Sequence, residues 1–88
     1  MSRVVIYSSS YCPFCIRALQ LLKHKQADVG IELEVISVDG RADLRRQMTE
    51  KAGRTLVPQI WIDDRHIGGC DELYALERKG GLDPLLAA

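Results

Sequence analysis

The fold is decided by one stretch near the amino terminus, Arg3-Val4-Val5-Ile6-Tyr7-Ser8-Ser9-Ser10-Tyr11-Cys12-Pro13-Phe14-Cys15. Four of its first five residues are apolar or aromatic, and three of these are β-branched, which predicts a buried strand over residues 3–7. Residues 8–11 are polar and predict a loop. A helix is expected to begin at Pro13, because the missing N–H of proline has no helical acceptor at that position anyway. The stretch therefore predicts a strand, a loop and a helix, with a cysteine at the junction of loop and helix.

The helix after Pro13 has one apolar face. Its inward side chains recur at helical spacing: Cys15, Ala18, Leu19 and Leu22. Three basic residues of the same segment are expected to face water: Arg17, Lys23 and Lys25. Gly30 is expected to end the helical region.

The remaining elements follow from periodicity and turn residues. We expect strands over 31–38, Gln59–Ile62 and Arg65–Gly68, helices over Ala42–Ala52 and 70–79, and a last helical turn over 83–86. Gly53 is expected to be a left-handed helix cap. A β-α-β unit crosses over right-handed with parallel strands, whereas a hairpin is antiparallel. The order β-α-β-α-β-β-α therefore predicts an α/β fold, a mixed four-stranded sheet flanked by helices on both faces.

Composition indicates one small domain. The 88 residues suffice for one modest core, so residues 1–88 are expected to form a single unit. The 12 basic residues balance 12 acidic ones, and without a basic excess a nucleic-acid binder is not expected. The apolar run of residues 4–6 is too short for a signal peptide or a membrane span. We therefore expect a cytoplasmic monomer, with neither nucleic acid nor membrane as a partner.

The cysteines indicate redox chemistry. In a reducing compartment they are not expected to form structural disulfides, and three cysteines cannot all pair within one chain. Cys12 is expected at the N-cap of the first helix, where free N–H groups and the positive helix end favour a thiolate. The thiolate is the attacking form in disulfide exchange. Cys15, one turn further and less exposed, is expected to resolve the mixed disulfide that Cys12 forms.

The alternative for this cysteine pair is a zinc site completed by His66 and Cys70. A structural zinc site usually offers a second pair of ligands at short spacing. Here the two candidates flank Gly68-Gly69 at a strand–helix junction, and Pro13 stiffens the loop that would have to wrap a metal. We therefore expect no metal and no bound cofactor.

Two further segments could complete a site around Cys12. Val57-Pro58 opens a strand with a residue that cannot donate to the sheet, and its peptide bond can be cis or trans. A cis bond would present the Val57 backbone to an incoming thiol. Gly68-Gly69-Cys70-Asp71 predicts a turn into a helix start, which can bind a carboxylate through backbone N–H groups. Asp71 then either accepts from a ligand amine or caps the helix.

Together, Cys12-Pro13-Phe14-Cys15, Val57-Pro58 and Gly68-Gly69-Cys70-Asp71 resemble a dithiol glutaredoxin over essentially the whole chain. Further blocks are similar to the bacterial glutaredoxin-3 group: Val38-Asp39-Gly40, Gly53-Arg54-Thr55, His66-Ile67-Gly68-Gly69-Cys70 and Gly80-Gly81-Leu82-Asp83-Pro84-Leu85-Leu86. The resemblance implies a thioredoxin-like fold, a cis Pro58 and a glutathione site. It implies glutathione contacts from nine residues: Tyr11, Pro13, Phe14, Leu56, Val57, Pro58, Gly69, Cys70 and Asp71.

The resemblance also implies an activity, glutathione-dependent reduction of protein disulfides and of protein–glutathione mixed disulfides. Cys12 and Cys15 are then the catalytic residues, glutathione is the co-substrate, and the partners are disulfide-bonded or glutathionylated proteins. Two alternatives stay open: a thioredoxin-like reductant recycled by a flavoprotein reductase, and a module that bridges an iron–sulfur cluster through Cys12. Cys70 is either a third redox thiol or a partly buried spectator.

Two residues depart from the family pattern. The family often has a lysine at the place of Ser9 and a threonine at the place of Leu56. In the family, this lysine favours the thiolate form of the first cysteine and the binding of the glycyl carboxylate of glutathione. Arg17 or Arg54 could supply the missing cation.

Overall fold

The computed structural model describes residues 2–87, and this part of the chain contains four strands and four helices. In chain order they are β1 (Arg3–Ser8), α1 (Pro13–Val29), β2 (Glu32–Ser37), α2 (Ala42–Ala52), β3 (Gln59–Ile62), β4 (Arg65–Gly68), α3 (Cys70–Arg78) and α4 (Leu82–Ala87). The predicted elements are all present, and no end differs from its predicted position by more than one residue. Within residues 2–87, none of the helices has both the length and the apolar character needed to cross a membrane.

The strands form one mixed sheet in the order β2-β1-β3-β4. Ile6 of β1 lies opposite Val35 of the parallel strand β2 and opposite Ile60 of the antiparallel strand β3. β3 and β4 form the predicted hairpin, with a register shift between Ile60 and Trp61. The predicted topology is confirmed. Because β1 and β2 are parallel, the segments that follow them leave the sheet at the same edge.

The core lies on both faces of the sheet. Val4 and Ile6 point to the face covered by α1, α3 and α4. Tyr7 and Trp61 point to the other face, where they pack against Met48 of α2. This alternation follows from the period of two along a strand. Helices therefore flank both faces, as predicted.

Glycines end the two long helices. Gly30 and Gly53 have φ angles of 80° and 72°, and their N–H groups donate back to the carbonyls of Gln26 and Thr49. This left-handed conformation strains residues that carry a side chain, so a helix that reaches such a glycine stops there. The predicted cap at Gly53 is confirmed.

Lys25 corrects a prediction, because its side chain is buried rather than facing water. The residue is 7% exposed and lies on the inward face of α1, one turn beyond Leu22. Its Nζ atom lies 2.9 Å from Oε2 of Glu77 and 2.7 Å from Oδ1 of Asp83. The two carboxylates compensate an ammonium charge that burial alone would penalise. Lys25 therefore ties α1 to both C-terminal helices.

Candidate active site

Cys12 lies at the N-cap of α1, as predicted. Its backbone is extended, and its Sγ atom accepts a hydrogen bond from the N–H of Cys15 at 3.2 Å. The same sulfur lies 3.7 Å from the carbonyl oxygen of Val57, to which the thiol form can donate. A sulfur acceptor here satisfies one N–H group that the helix start leaves without a partner, and the positive helix end favours negative charge on it. The half-buried sulfur thus stands between α1 and the segment before β3.

Cys15 is fully buried in the first turn of α1. Burial raises the pKa of its thiol to about 12, and the hydrogen bond to Cys12 adds to this rise. The thiol therefore keeps its proton at neutral pH while Cys12 is free. Once Cys12 is bonded to another sulfur, it can no longer carry a negative charge, and part of the effect that holds the pKa of Cys15 high is removed. The fold thus makes the two cysteines unequal, one accessible and one held as a buried thiol.

The buried thiol of Cys15 predicts a loss of stability in alkali. The folded protein holds this proton up to pH about 12, whereas the unfolded chain releases it near the ordinary pKa of 9.0. Above pH 9 the unfolded state therefore binds fewer protons, so the free energy of unfolding should fall, by about 1.4 kcal/mol at roughly pH 10. Urea unfolding of the reduced protein and of Cys15→Ser at neutral pH and at about pH 10 measures this fall. The variant keeps the other titrating groups, so a stability difference between the two proteins that does not change with pH would contradict the prediction.

A groove of about 230 Å³ opens between the segment before β3 and the start of α3. Val57, one of its lining residues, connects it to Cys12, whose Sγ atom lies 3.7 Å from the Val57 carbonyl oxygen. The Val57–Pro58 peptide bond at its wall is cis, the isomer that the resemblance implies. The groove is lined by seven of the nine predicted contact residues: Phe14, Leu56, Val57, Pro58, Gly69, Cys70 and Asp71. Tyr11 and Pro13 are outside this lining, and Tyr11 is 91% exposed on the loop before α1. The tertiary structure therefore brings together the two segments that were predicted to complete the site, the one around Val57-Pro58 and the one at Gly69-Cys70-Asp71.

The start of α3 is held by Glu72. Its carboxylate accepts the N–H of Gly69 at 2.7 Å and the guanidinium of Arg54 at 3.0 Å. The hydrogen bond from Gly69 is the main reason that the pKa of Glu72 lies below its usual range, and Arg54 adds to the effect. The alternative in which Asp71 caps the helix is therefore wrong. The side chain of Asp71 is exposed and lines the groove.

Two glycines let the start of α3 approach the cis peptide. Gly68 has a φ angle of 115°, and a Cβ atom there would lie 2.5 Å from Oε1 of Glu72. A Cβ atom on Gly69 would lie 3.2 Å from the carbonyl oxygen of Pro58. A side chain at Gly68 would displace the carboxylate of Glu72, which holds the helix start, and a side chain at Gly69 would crowd the Pro58 carbonyl at the wall of the groove.

Gln59 and Glu72 also line the groove, although neither was predicted as a site residue. Gln59 is buried; its Nε2 atom donates to the carbonyl of Leu56 at 3.0 Å, and its Oε1 atom lies 2.8 Å from Nε2 of His66. It thereby holds the segment that carries Val57. A buried amide in an apolar strand needs partners and was a readable signal. For Glu72 the signal was an acidic residue three positions after a helix start.

The cation that could replace the family's lysine is Arg54, because Arg54 lines the groove and Arg17 does not. The guanidinium of Arg17 instead lies 5.2 Å from the centre of the Tyr74 ring. Cys70 lines the groove but is nearly buried, and this burial raises the pKa of its thiol. Its environment fits a spectator rather than a reactive thiol.

The residues of the zinc alternative are not gathered at Cys12. The imidazole of His66 faces Gln59, and burial lowers its pKa. Within the described residues 2–87, no group of three or more His, Cys, Asp or Glu side chains is arranged to hold a metal ion.

Disulfide exchange needs one accessible sulfur that attacks and a second sulfur close enough to release the partner. This fold holds such a pair where β1 leads into α1, and the attacking sulfur lies 3.7 Å from the carbonyl oxygen of Val57 at the wall of the groove. The molecule is a thiol–disulfide oxidoreductase with a thioredoxin-like fold. Its chain belongs to the glutaredoxin family, whose model matches residues 4–67.

Two curated relatives are similar over their whole length. The glutaredoxin of Pseudomonas aeruginosa is 53% identical over 88 residues, which cover 100% of both chains. Glutaredoxin 3 of Escherichia coli is 51% identical over 86 residues, which cover 98% of this chain and 99% of that one. The predicted likeness to the glutaredoxin-3 group is confirmed.

Two solved structures share the fold. The solution structure of the Brucella melitensis glutaredoxin has a TM-score of 0.80 at 46% identity, with 97% of this chain and 88% of that one covered. The crystal structure of a buckwheat glutaredoxin–glutathione complex has a TM-score of 0.77 at 30% identity, with 97% and 76% covered. The predicted thioredoxin-like fold is confirmed.

Proposed function

We propose that this chain is a glutathione-dependent oxidoreductase that reduces protein disulfides and protein–glutathione mixed disulfides. The observation that carries the proposal is the groove beside Cys12, which ends on the first turn of α3. It offers the backbone of Val57, a helix start and the carboxylate of Asp71 within one small site. These groups complement a short peptide that carries a thiol, an ammonium group and carboxylates.

Each part of glutathione has a complementary group in the groove. The N–H groups of Cys70 and Asp71 lie in the first turn of α3 without a helical acceptor and favour the γ-glutamyl carboxylate. The Asp71 carboxylate favours the neighbouring ammonium group. The backbone of Val57 can pair with the cysteinyl part, and its carbonyl oxygen lies 3.7 Å from Sγ of Cys12. Arg54 favours the glycyl carboxylate. The buckwheat relative, crystallised with glutathione, supports this choice of ligand.

With a glutathionylated protein, the Cys12 thiolate attacks the glutathione sulfur. The bond between glutathione and the protein breaks, and the protein cysteine leaves as a thiolate that takes up a proton. A second glutathione, as its thiolate, then attacks the Cys12–glutathione disulfide. This step releases oxidised glutathione, restores the Cys12 thiolate and does not involve Cys15.

With a protein disulfide, Cys12 attacks one sulfur, and the other leaves as a thiolate. Cys15, one helical turn away, then loses its proton and attacks the Cys12 sulfur, which frees the second protein thiol and forms a Cys12–Cys15 disulfide. The neutral Cys12 sulfur of the mixed disulfide no longer opposes ionisation of Cys15. Two glutathione molecules reduce the internal disulfide and become oxidised glutathione.

Steady-state turnover with glutathione, glutathione reductase and NADPH tests the proposal. We expect Asp71→Asn to raise KM for a glutathionylated peptide about ten-fold while kcat stays within about two-fold, because the lost contact to the ammonium group exists equally in the bound substrate and in the transition state. Asp64→Asn, the same change in the turn between β3 and β4, is the matched control and should leave both constants unaltered. Turnover by the wild type with thioredoxin reductase but not with glutathione would support the flavoprotein-recycled alternative instead.

We further propose that the protein works as a monomer in the cytoplasm. Reducing conditions there keep cysteines free, which a dithiol enzyme requires at the start of each cycle. Light scattering of the reduced protein tests the first part of this proposal, and fractionation of the cells that make it tests the second.

A further inference from the structure

The loop before Cys12 is tied to the segment after β2 by one carboxylate, that of Asp39. Its Oδ1 atom accepts the hydroxyl of Ser9 at 2.6 Å, and its Oδ2 atom accepts the N–H of Ser10 at 2.9 Å. Ser9 and Asp39 meet because β1 and β2, the strands that precede them, are parallel and end at the same edge of the sheet. The hydrogen bonds from Ser9 and Ser10 hold the pKa of Asp39 below its usual range, so the side chain is ionised at neutral pH.

Ser9 connects this carboxylate to both cysteines. The N–H of Cys12 donates to the carbonyl of Ser9 at 3.4 Å, and the N–H of Tyr11 approaches the Ser9 hydroxyl at 3.5 Å. Burial dominates the pKa of Cys15, but a hydrogen bond from the Ser9 backbone acts on the same thiol and lowers it. A shift of Ser9 would therefore move the backbone of Cys12 and the surroundings of Cys15 together.

The loop itself has little other support. Ser10 and Tyr11 are exposed, and they lie outside the two apolar clusters of the core. The serine that makes the short contact to Asp39 stands where the family often has a lysine. In this chain the segment before the first cysteine is thus held by a part-buried hydrogen bond from Ser9 to Asp39 instead of presenting a cation.

We propose that Asp39 is a positioning residue, which through Ser9 and Ser10 holds the loop so that the Cys12 sulfur stays at the N-cap of α1. The inference deepens the proposed function, since it takes Cys12 as the attacking group, but it does not depend on glutathione. Asp39 touches no reacting atom. Its effect is on the fraction of time that the sulfur spends in the attacking geometry.

The pair of variants Asp39→Asn and Asp39→Ala separates geometry from charge. Both remove the negative charge, but the asparagine amide can accept from the N–H of Ser10 and donate to the hydroxyl of Ser9, whereas alanine keeps neither bond. We expect iodoacetamide to alkylate Cys12 at least about five-fold more slowly in the alanine variant than in the asparagine variant, because the loss of one of the two hydrogen bonds already corresponds to about this factor. The kcat for a mixed-disulfide peptide should fall in parallel, with KM within about two-fold.

Two controls locate the effect. Asp43→Ala removes an exposed carboxylate in the first turn of α2 that is bonded to Arg41, and Cys12 of this variant should be alkylated at the wild-type rate. Ser9→Ala combined with Asp39→Ala should slow the reaction by less than the product of the single effects, because residues that act through one contact are not additive.

Equal alkylation rates for the alanine and asparagine variants of Asp39 would overturn the proposal. So would labelling of the buried Cys15 or Cys70 in the alanine variant, seen by mass spectrometry, because it would show general loosening instead of loop displacement. A wild-type protein that does not turn over a glutathionylated peptide with glutathione would instead refute the proposed function, and it would leave the comparison of alkylation rates unaffected, so the two failures are distinguishable.

Discussion

Cys12→Ser is expected to abolish disulfide exchange with every substrate. Its hydroxyl is not ionised at neutral pH and cannot take the place of the sulfur that accepts the Cys15 N–H and lies near the carbonyl oxygen of Val57. Reductase activity with a protein disulfide and with a glutathionylated peptide should both fall to the rate measured without enzyme. Substantial activity of this variant with either substrate would refute the role assigned to Cys12.

Cys15→Ser should separate the two activities. It leaves the attack by Cys12 intact, so turnover of a glutathionylated peptide should continue, whereas a protein disulfide should stall as a mixed disulfide that mass spectrometry can detect. Equal loss of both activities would contradict the proposed division of roles. Cys70→Ser is the matched control, because Cys70 is nearly buried and burial raises the pKa of its thiol, and it should keep both activities.

Lys25→Ala is expected to lower the free energy of unfolding by about 2 kcal/mol, because it removes a buried aliphatic stem and leaves two carboxylates without their partner. This expected loss in the free energy of unfolding is smaller than the loss on breaking a fully buried ion pair, because the side chains of Glu77 and Asp83 are 33% and 58% exposed. The hydrogen bonds to Asp83 and then Glu77 raise the pKa of Lys25 above its ordinary value of 10.5. The contribution is therefore complete at neutral pH and is lost only as the pH rises through this raised pKa.

Urea unfolding at neutral pH measures this loss of stability, and hydrogen exchange shows where it acts. Exchange should accelerate most in α4, which Lys25 holds to α1 through Asp83. Lys23→Ala is the matched control on the exposed face of the same helix and should change stability by less than about 0.5 kcal/mol. If both variants unfolded at the same urea concentration, the ion pairs of Lys25 would contribute nothing to stability.

The elements of the fold could be predicted because their signals are local. Strand β1, the proline at the start of α1 and the glycine cap at Gly53 are each specified by neighbouring residues, and the structure has all three. The place of Cys12 at the N-cap followed from the same signals. Lys25 shows the limit of this reasoning, because its position on the inward face was readable but its partners on α3 and α4 were not.

The candidate site could be predicted in part. The cysteine pair and the segments around Pro58 and Gly69 carry recognisable residues. For Gln59 and Glu72 the residue type and position were a signal, but the sequence did not show which groups their side chains contact. The alternative in which Asp71 caps α3 was wrong because the neighbouring residue, Glu72, accepts the hydrogen bond from the N–H of Gly69.

By itself, the sequence determined the order of strands and helices and put one cysteine at a helix start with a second one turn inside. Periodicity, proline and glycine act within a few residues, so these features need no distant partner. Only the tertiary structure decided that Lys25 is buried between two acids, that Gln59 holds the Val57 segment, and that Asp39 meets Ser9 across 30 residues of chain. The physical reason is that a buried charge or amide is stabilised by whichever partners the packed elements bring to it, and that geometry exists only once the sheet and helices have assembled.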